Sequence, residues 1–140
     1  MAQFFEFIGN HPYLSSMWVV TLGVIIMYHR RTSGSSVGPH QAVMLINRKG
    51  AIVVDVREKK EFESGHIVDS INIPVAKLKQ RITEAWKHKY KDKPVVVVCK
   101  LGQHSGQAAK ILQEAGHTDV VRLAGGLTEW KAQSLPLVQK

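Results

Sequence analysis

The chain has 140 residues, of which 44% are hydrophobic and 21% charged, a composition typical of one folded domain with a short appendage and not of a disordered protein. Its single cysteine excludes an intramolecular disulfide or a zinc site of several cysteines, and suits a reducing compartment such as the cytoplasm. The net charge is +8, and every Lys and Arg lies at Arg30 or beyond, which favours anionic partners for that part of the chain.

The first part of the chain is an apolar segment. No Asp, Glu, Lys or Arg occurs between Glu6 and Arg30, and residues 7–28 supply 22 residues, enough for a helix that crosses a bilayer. A cleaved signal peptide and a buried helix are the alternatives, but a signal peptide has a basic start, which this segment lacks. We therefore predict a membrane anchor at residues 1–31 with one transmembrane helix at about residues 8–28.

The charges that follow this helix predict its orientation. Arg30 and Arg31 come directly after the apolar run, and the positive-inside rule places them in the cytoplasm with the short N-terminus outside. The prediction is a single-pass protein of the inner (cell) membrane whose remaining residues are cytoplasmic. Residues 32–39 are rich in Ser and Gly and are predicted to be a flexible linker to a domain at residues 40–140.

Helix-like and strand-like patterns alternate through the rest of the chain. Apolar residues at helical spacing predict helices, and short continuous apolar runs predict buried strands. The predicted helices are 38–50, 57–65, 75–90, 104–116 and 125–133, and the predicted strands are 51–56, 70–74, 95–98 and 119–123. Such alternation indicates an α/β fold with right-handed crossovers and a mainly parallel sheet.

The only cysteine, Cys99, follows four valines, so a buried strand places it at the carboxyl edge of the sheet, where ligands bind in open parallel sheets. A helix is predicted to begin near His104, and such a helix end attracts anions and favours an ionised thiolate. Gly102 permits a loop that points several N–H groups at one centre, and Lys100 adds positive charge. A nucleophilic cysteine in an anion cradle is one interpretation. A buried core cysteine is the other.

Three segments resemble the motifs of the rhodanese family. VDVREKKEFESGHIVDSINIP (54–74) is similar to the family's Asp-x-Arg, Glu, Gly-His-Ile and Asn-Ile-Pro signature, VVVVCKLGQHS (95–105) to its strand and Cys-x-x-Gly-x-Arg-Ser loop, and LAGGLTEW (123–130) to its closing Leu-x-Gly-Gly-x-x-x-Trp. The similarity covers about residues 38–138. An N-terminal anchor before a single domain resembles the small membrane-anchored rhodaneses of bacteria.

The resemblance implies a three-layer α/β domain with a central five-stranded parallel sheet. It also implies sulfur transfer: Cys99 takes the outer sulfur of thiosulfate or a similar small anionic donor as a persulfide, and a thiol or protein acceptor removes it. No metal or organic cofactor is implied. With Cys99 as the catalytic residue, the predicted substrate-binding residues are Lys100, Leu101, Gly102, Gln103, His104, Ser105 and Arg57. For Arg57, the alternative that we favour is a structural pairing among Asp55, Arg57 and Glu61 within the fold.

Two positions depart from the family pattern. His104 stands where the family often has Arg, and a histidine side chain in general loses its charge near about pH 6.5 while arginine keeps it, so donor binding is expected to be weaker or pH-dependent. Asp69 stands where Gly is usual, in a turn that Asp tolerates. Related phosphatases carry an Arg five residues after the cysteine that grips phosphoryl oxygens. Because this loop has none, the sequence favours sulfur transfer over phosphatase activity.

Two functions remain open from the sequence. One is a membrane-anchored thiosulfate sulfurtransferase, and the other is a catalytically weak rhodanese-fold interaction module at the membrane, with a membrane protein as its partner. The basic stretch from Lys77 to Lys93 is interpreted as a solvated surface or as a patch that meets anionic lipid. Nucleic-acid binding is not predicted, because no aromatic platform or recognition motif accompanies the charge.

Overall fold

The computed structural model describes residues 1–32 and 34–139, without the side chains of residues 30–32. The chain divides into two compact units, residues 1–33 and residues 34–140. The first unit contains two helices, α1 (Ala2–Asn10) and α2 (Pro12–Thr32). The second unit contains the remaining helices and all the strands of the described residues.

The long helix of the apolar segment begins later than predicted. The helical ladder is interrupted at His11 (φ −131°, ψ 63°), so residues 8–10 belong to α1 and the long helix begins at Pro12. The cause is local: a residue that precedes proline is disfavoured in the α region, whereas proline itself suits the first helical position. Within α2, none of the residues Pro12–His29 is buried, and this stretch is long and apolar enough to cross a membrane by length and composition. Arg30 and Arg31, on which the predicted orientation rests, lie in the last turn of α2, and their side chains lie outside the described part.

The second unit is built on a five-stranded sheet in which every pairing is parallel, and this confirms the predicted fold class. The strands are β1 (Ser36–Val37), β2 (Ile52–Asp55), β3 (Ile71–Asn72), β4 (Val95–Val98) and β5 (Val120–Leu123), and their order in the sheet is β1-β5-β4-β2-β3. The central strand β4 pairs with β5 and β2, and all four of its valines are fully buried.

Strand β1, which was not predicted, lies in the segment that was predicted to be a flexible linker. Within residues 32–39, β1 pairs with the edge of β5: the N–H of Arg122 donates to the Ser35 carbonyl at 3.0 Å, and the N–H of Ala124 donates to the Val37 carbonyl at 2.8 Å. The prediction of a linker was wrong for residues 36–37, because a two-residue edge strand shows no apolar alternation. Ser33, in the same segment, lies outside the described residues.

Helices cover both faces of the sheet. They are α3 (Pro39–Lys49), α4 (Lys59–Ser64), α5 (Val75–Arg81), α6 (Glu84–Lys89), α7 (Ser105–Glu114) and α8 (Gly126–Ala132). One apolar cluster joins alternate strand residues to Leu78 of α5 and Leu112 of α7, and the other joins them to Ala42 of α3 and Trp130 of α8. Because the strands are covered on both sides, they read as continuous apolar runs and not as alternating ones.

The predicted helix 75–90 is two helices. α5 ends at Arg81, and α6 begins after Thr83, whose hydroxyl accepts a hydrogen bond from the backbone N–H of Trp86 at 3.4 Å. Thr is a favoured N-cap residue, so the sequence carried a start signal that the apolar spacing concealed. The apolar residues of both helices nevertheless share one side, since Leu78 belongs to the first apolar cluster and Ile82 and Trp86 pack against it.

Candidate active site

The single thiol lies where the central strand ends. Cys99 directly follows β4, its residue is 2% exposed, and its Sγ accepts a hydrogen bond from the backbone N–H of Gly102 at 2.8 Å. The loop therefore turns back on the sulfur within three residues. A backbone donor directed at sulfur stabilises negative charge there, which is the state in which a cysteine acts as a nucleophile.

Two residues shape this turn. Gly102 has a φ of +91°, a conformation that glycine adopts without the steric penalty of a side chain. Ser105, the first residue of α7, is fully buried and donates its hydroxyl to the Gly102 carbonyl at 2.8 Å. Ser105 thus holds the loop from inside, and the structure gives it a positioning contact where the sequence predicted contact with substrate.

The start of α8 supports the other side of the loop. The N–H of Leu127 donates to the Cys99 carbonyl at 2.9 Å, and Thr128 donates both its N–H (3.2 Å) and its hydroxyl (3.0 Å) to the Lys100 carbonyl. The backbones approach so closely that a Cβ on Gly126 would overlap the Cys99 carbonyl oxygen. Gly126, the second glycine of the third motif, therefore allows α8 to hold the Cys99 loop.

A cleft of about 530 Å³ opens in front of Cys99. Six of the eight predicted site residues line this cleft. The other two, Gly102 and Ser105, do not line it, but the Gly102 N–H donates to Cys99 Sγ and the Ser105 hydroxyl donates to the Gly102 carbonyl. The lining residues are Val56, Arg57, Glu58, Glu61, Val75, Ala76, Cys99, Lys100, Leu101, Gln103, His104 and Gln107.

Arg57 lines the cleft, but its guanidinium is held by other groups. Its Nε donates to Asp55 Oδ1 at 3.0 Å, and its Nη2 donates to Asp55 Oδ2 at 2.8 Å and to the Gly65 carbonyl at 2.7 Å. Asp55 is 1% exposed, so this is a buried, bidentate ion pair. The charge of Arg57 is therefore neutralised within the fold, in line with the structural pairing that the sequence left as the alternative.

Several lining residues were missed from the sequence, above all Glu58, Glu61, Val75 and Ala76. The register pairs Asp55 with Val98, so the residues after β2 reach the same edge of the sheet as Cys99. Because carboxyl ends of parallel strands share one edge, that signal was available for Glu58. The α5 residues carry no such signal, since their place depends on how the helix packs. Within the described residues, no group of three or more His, Cys, Asp or Glu could hold a metal ion.

A parallel α/β sheet with a cysteine loop at the end of its central strand defines the class, and the comparisons with known proteins define the family. The model of the rhodanese-like domain matches residues 39–133, and the chain therefore belongs to the rhodanese family.

Relatives agree along different lengths of the chain. The protein YibN of Escherichia coli strain K12 is 36% identical over 143 residues, which cover 99% of both chains, including the apolar N-terminal segment. Thiosulfate sulfurtransferase GlpE of Pseudomonas syringae pv. syringae is 39% identical over 93 residues, which cover 66% of this chain and 84% of GlpE. A solved structure, a rhodanese-related protein of Thermoplasma volcanium, is 34% identical with a TM-score of 0.62 and covers 76% of this chain and 99% of its own.

Proposed function

We propose that this chain is a membrane-anchored sulfurtransferase that moves a sulfane sulfur from thiosulfate, or a similar donor, to a thiol acceptor through a persulfide on Cys99. The observation that carries the proposal is the 2.8 Å hydrogen bond from the Gly102 N–H to Cys99 Sγ at the floor of an open cleft. The name of the GlpE relative, a thiosulfate sulfurtransferase, supports the same reaction.

The first half of the reaction loads the cysteine. The Cys99 thiolate attacks the outer sulfur of thiosulfate, the S–S bond of the donor breaks, and sulfite leaves with the electron pair, so that the enzyme keeps a persulfide anion. The Gly102 N–H donates to Cys99 Sγ and is proposed to stabilise the thiolate before it attacks. Lys100, Gln103 and His104 line the cleft and are proposed to attract the anionic donor.

The roles of the remaining predicted residues are proposed from their contacts. Arg57 ties the connection after β2 to Asp55 and Gly65, and Ser105 fixes the turn at Gly102, so both are proposed to act by positioning. Leu101 is 55% exposed and is proposed to offer apolar surface to a substrate in the cleft beside Cys99. No step of this chemistry requires a metal or an organic cofactor.

The location is proposed from the N-terminal unit. Residues Pro12–His29 supply a helix long and apolar enough to span a bilayer, and the basic residues lie only on the C-terminal side of it. We infer a single-pass protein of the cell membrane with residues 34–140 on the cytoplasmic side, where the acceptor thiol is also found. A membrane-associated protein is then a natural acceptor.

Intact-mass spectrometry after thiosulfate treatment tests the reaction. The wild-type chain is expected to gain one sulfur, about 32 Da, and the Cys99→Ser variant is expected to gain nothing. Subsequent addition of cyanide or a thiol should remove the added mass. An unmodified wild-type chain would contradict sulfur transfer from this donor and favour the alternative of a tethered interaction module, for which Cys99→Ser leaves partner binding intact.

A further inference from the structure

The cleft is larger than the small anion that the proposed function places in it. Its volume is about 530 Å³. Thiosulfate has five non-hydrogen atoms, each roughly the size of a water molecule, whose share of the liquid is about 30 Å³. A donor in contact with Cys99 therefore leaves most of the cleft open, and the remaining space is available to the sulfur acceptor.

The α4 side of this cleft is acidic. Glu58 immediately precedes α4 and Glu61 lies in its first turn, and both line the cleft. In the part of the chain that the structure describes, neither carboxylate forms an ion pair; the pairs found there are Arg57–Asp55, Lys59–Glu63 and Lys87–Glu84. Because Asp55 already neutralises Arg57, that cation of the cleft does not compensate these two carboxylates.

The cleft thus presents charges of both signs on different elements. The positive group, Lys100, belongs to the Cys99 loop together with the imidazole of His104, whereas Glu58 and Glu61 belong to α4 and the turn before it. A dianionic donor is attracted to the loop and repelled by the carboxylates. A cationic group on a second substrate is attracted to the carboxylates.

The cleft also has an apolar part that a small anion does not use. Leu101 in the Cys99 loop is 55% exposed, and Val75 and Ala76 at the start of α5 line the same cleft. An exposed leucine beside a reacting thiol gains nothing from thiosulfate, but it gains from contact with the aliphatic part of a peptide.

We infer that the cleft accepts a segment of another protein in which basic residues flank the acceptor cysteine, and that Glu58 and Glu61 select this charge. For the transfer step the inference rests on the proposed function. The selection itself is a property of binding and does not depend on catalysis.

The transfer step is balanced without any oxidant. The acceptor thiol first loses its proton to water, and its thiolate attacks the outer sulfur of the Cys99 persulfide. A new S–S bond forms on the acceptor, the S–S bond at Cys99 breaks, and Cys99 leaves as the thiolate to which the Gly102 N–H donates. Basic residues beside the acceptor cysteine favour its thiolate form, so they assist the attack as well as the binding.

Binding is measured first, on the full-length Cys99→Ser chain in a nonionic detergent. Two fluorescent pentapeptides serve as probes, Ala-Lys-Ser-Lys-Ala and Ala-Glu-Ser-Glu-Ala. The net charge of the whole chain, +8, favours the Glu peptide, so a preference for the Lys peptide must come from a local acidic site. We expect about fivefold tighter binding of the Lys peptide at low ionic strength, a range typical of two exposed ion pairs, and a smaller preference at high salt.

Substitutions in α4 and at the residue before it identify the side chains that cause the preference. Glu58→Gln with Glu61→Gln should abolish it, whereas Glu63→Gln should leave it unchanged, because Glu63 lies outside the cleft and pairs with Lys59. In the wild-type background, the double variant should load from thiosulfate a few times faster, since two repelling charges are removed. Its preference for transferring sulfur to a Lys-flanked over a Glu-flanked cysteine peptide should be about fivefold smaller than that of the wild type.

The two proposals fail in different ways. Equal binding of both peptides, or a Lys preference that survives the double substitution, overturns the inference even when Cys99 loads normally. A wild-type chain that never gains sulfur overturns the proposed reaction, while the peptide-binding result still decides whether the carboxylates select basic segments. A preference lost only in the double variant supports the inference.

Discussion

A single Cβ at residue 126 is expected to separate the Cys99 loop from α8. Gly126 has a φ of +59°, and a Cβ there would overlap the Cys99 carbonyl oxygen and lie 2.7 Å from the Lys100 carbonyl carbon. Backbone cannot move aside as a flexible side chain does, so Gly126→Ala must displace the loop. We expect persulfide formation to slow at least tenfold, as measured by the rate of mass gain with thiosulfate.

Gly50 provides the matched control. Its φ of +63° is nearly that of Gly126, but nothing lies within 4 Å of a Cβ built on it. Gly50→Ala therefore carries the same backbone penalty, about 1–2 kcal/mol, without the overlap. It should lower stability while leaving the rate of persulfide formation unchanged. Equal rates in the two variants would show that the close approach at Gly126 does not position Cys99.

At the scale of residues, the sequence predicted the position of Cys99 but not all its surroundings. Cys99 and its loop follow from a buried strand, a glycine and a helix start that are adjacent in the chain. The pairing of Arg57 with Asp55, two residues apart in the chain, was one of two interpretations of the sequence, whereas the acidic side formed by Glu58 and Glu61 depends on how the fold brings α4 to the cleft. Pairing between near neighbours was therefore predictable, and the meeting of separate elements at the cleft was not.

At the scale of elements, β1 is expected to be part of the stable domain. A chain that begins at residue 38 lacks the Ser35 and Val37 carbonyls that accept hydrogen bonds from β5, and lacks the Val37 side chain that packs against the second apolar cluster. We expect the free energy of unfolding to fall by about 2 kcal/mol or more relative to a chain that begins at residue 34, from the lost hydrogen bonds to the Gly34, Ser35 and Val37 carbonyls and some apolar burial. Urea unfolding measures the difference.

The longer chain with Ser36→Ala is the control, since Ser36 is exposed and its backbone pairing is retained. It should unfold at the same urea concentration as its parent. If the chain that begins at residue 38 is equally stable, residues 34–37 serve only as the linker that their composition suggested.

Elements were predicted well where one signal dominates and poorly where two compete. The valine strand β4 and the apolar face of α7 are unambiguous. Within residues 75–90, the apolar spacing indicated one helix, while Thr83 indicated the start of a second. Both indications are correct, because the segment forms two helices whose apolar residues pack against the same cluster. At Pro12 the apolar run concealed a similar start. The composition of residues 32–39 did not indicate β1, because this short strand is stabilised by its hydrogen bonds with β5 and the residue after it.

At the scale of the whole molecule, one buried histidine is expected to make stability depend on pH. His117 follows α7 and is 6% exposed, and burial, with a smaller contribution from the charge of Lys87, lowers its pKa below the ordinary value of about 6.5. The unfolded chain takes up a proton as the pH falls through that value, and the folded chain resists it. Stability attributable to this residue is therefore complete above about pH 6.5 and is lost as the pH falls.

Urea unfolding of the chain that begins at residue 34, at several values between about pH 7 and about pH 5, measures this loss. His117→Leu should show a smaller loss than the wild type. His88→Leu is the control, because His88 is exposed in the same groove, which Glu84, Lys87 and Lys91 also line. Identical pH profiles for wild type and His117→Leu would contradict the assignment of the loss to burial of His117.

The proposed membrane orientation makes the reactivity of the two units differ in intact cells. In a Cys99→Ser background, Gln3→Cys places a thiol in α1, and Lys93→Cys places one in the exposed turn before β4. If α2 crosses the membrane with its basic end inside, a membrane-impermeant maleimide should label the first thiol in intact bacterial cells and the second only after the cells are opened. The protein should also stay in the membrane fraction through alkaline carbonate extraction. Labelling of residue 93 in intact cells would mean that the orientation is the reverse of the one proposed. Cys99 would then lie outside the reducing cytoplasm, and a persulfide on it would lack thiol acceptors. Release by carbonate would instead mean that α2 does not span the bilayer.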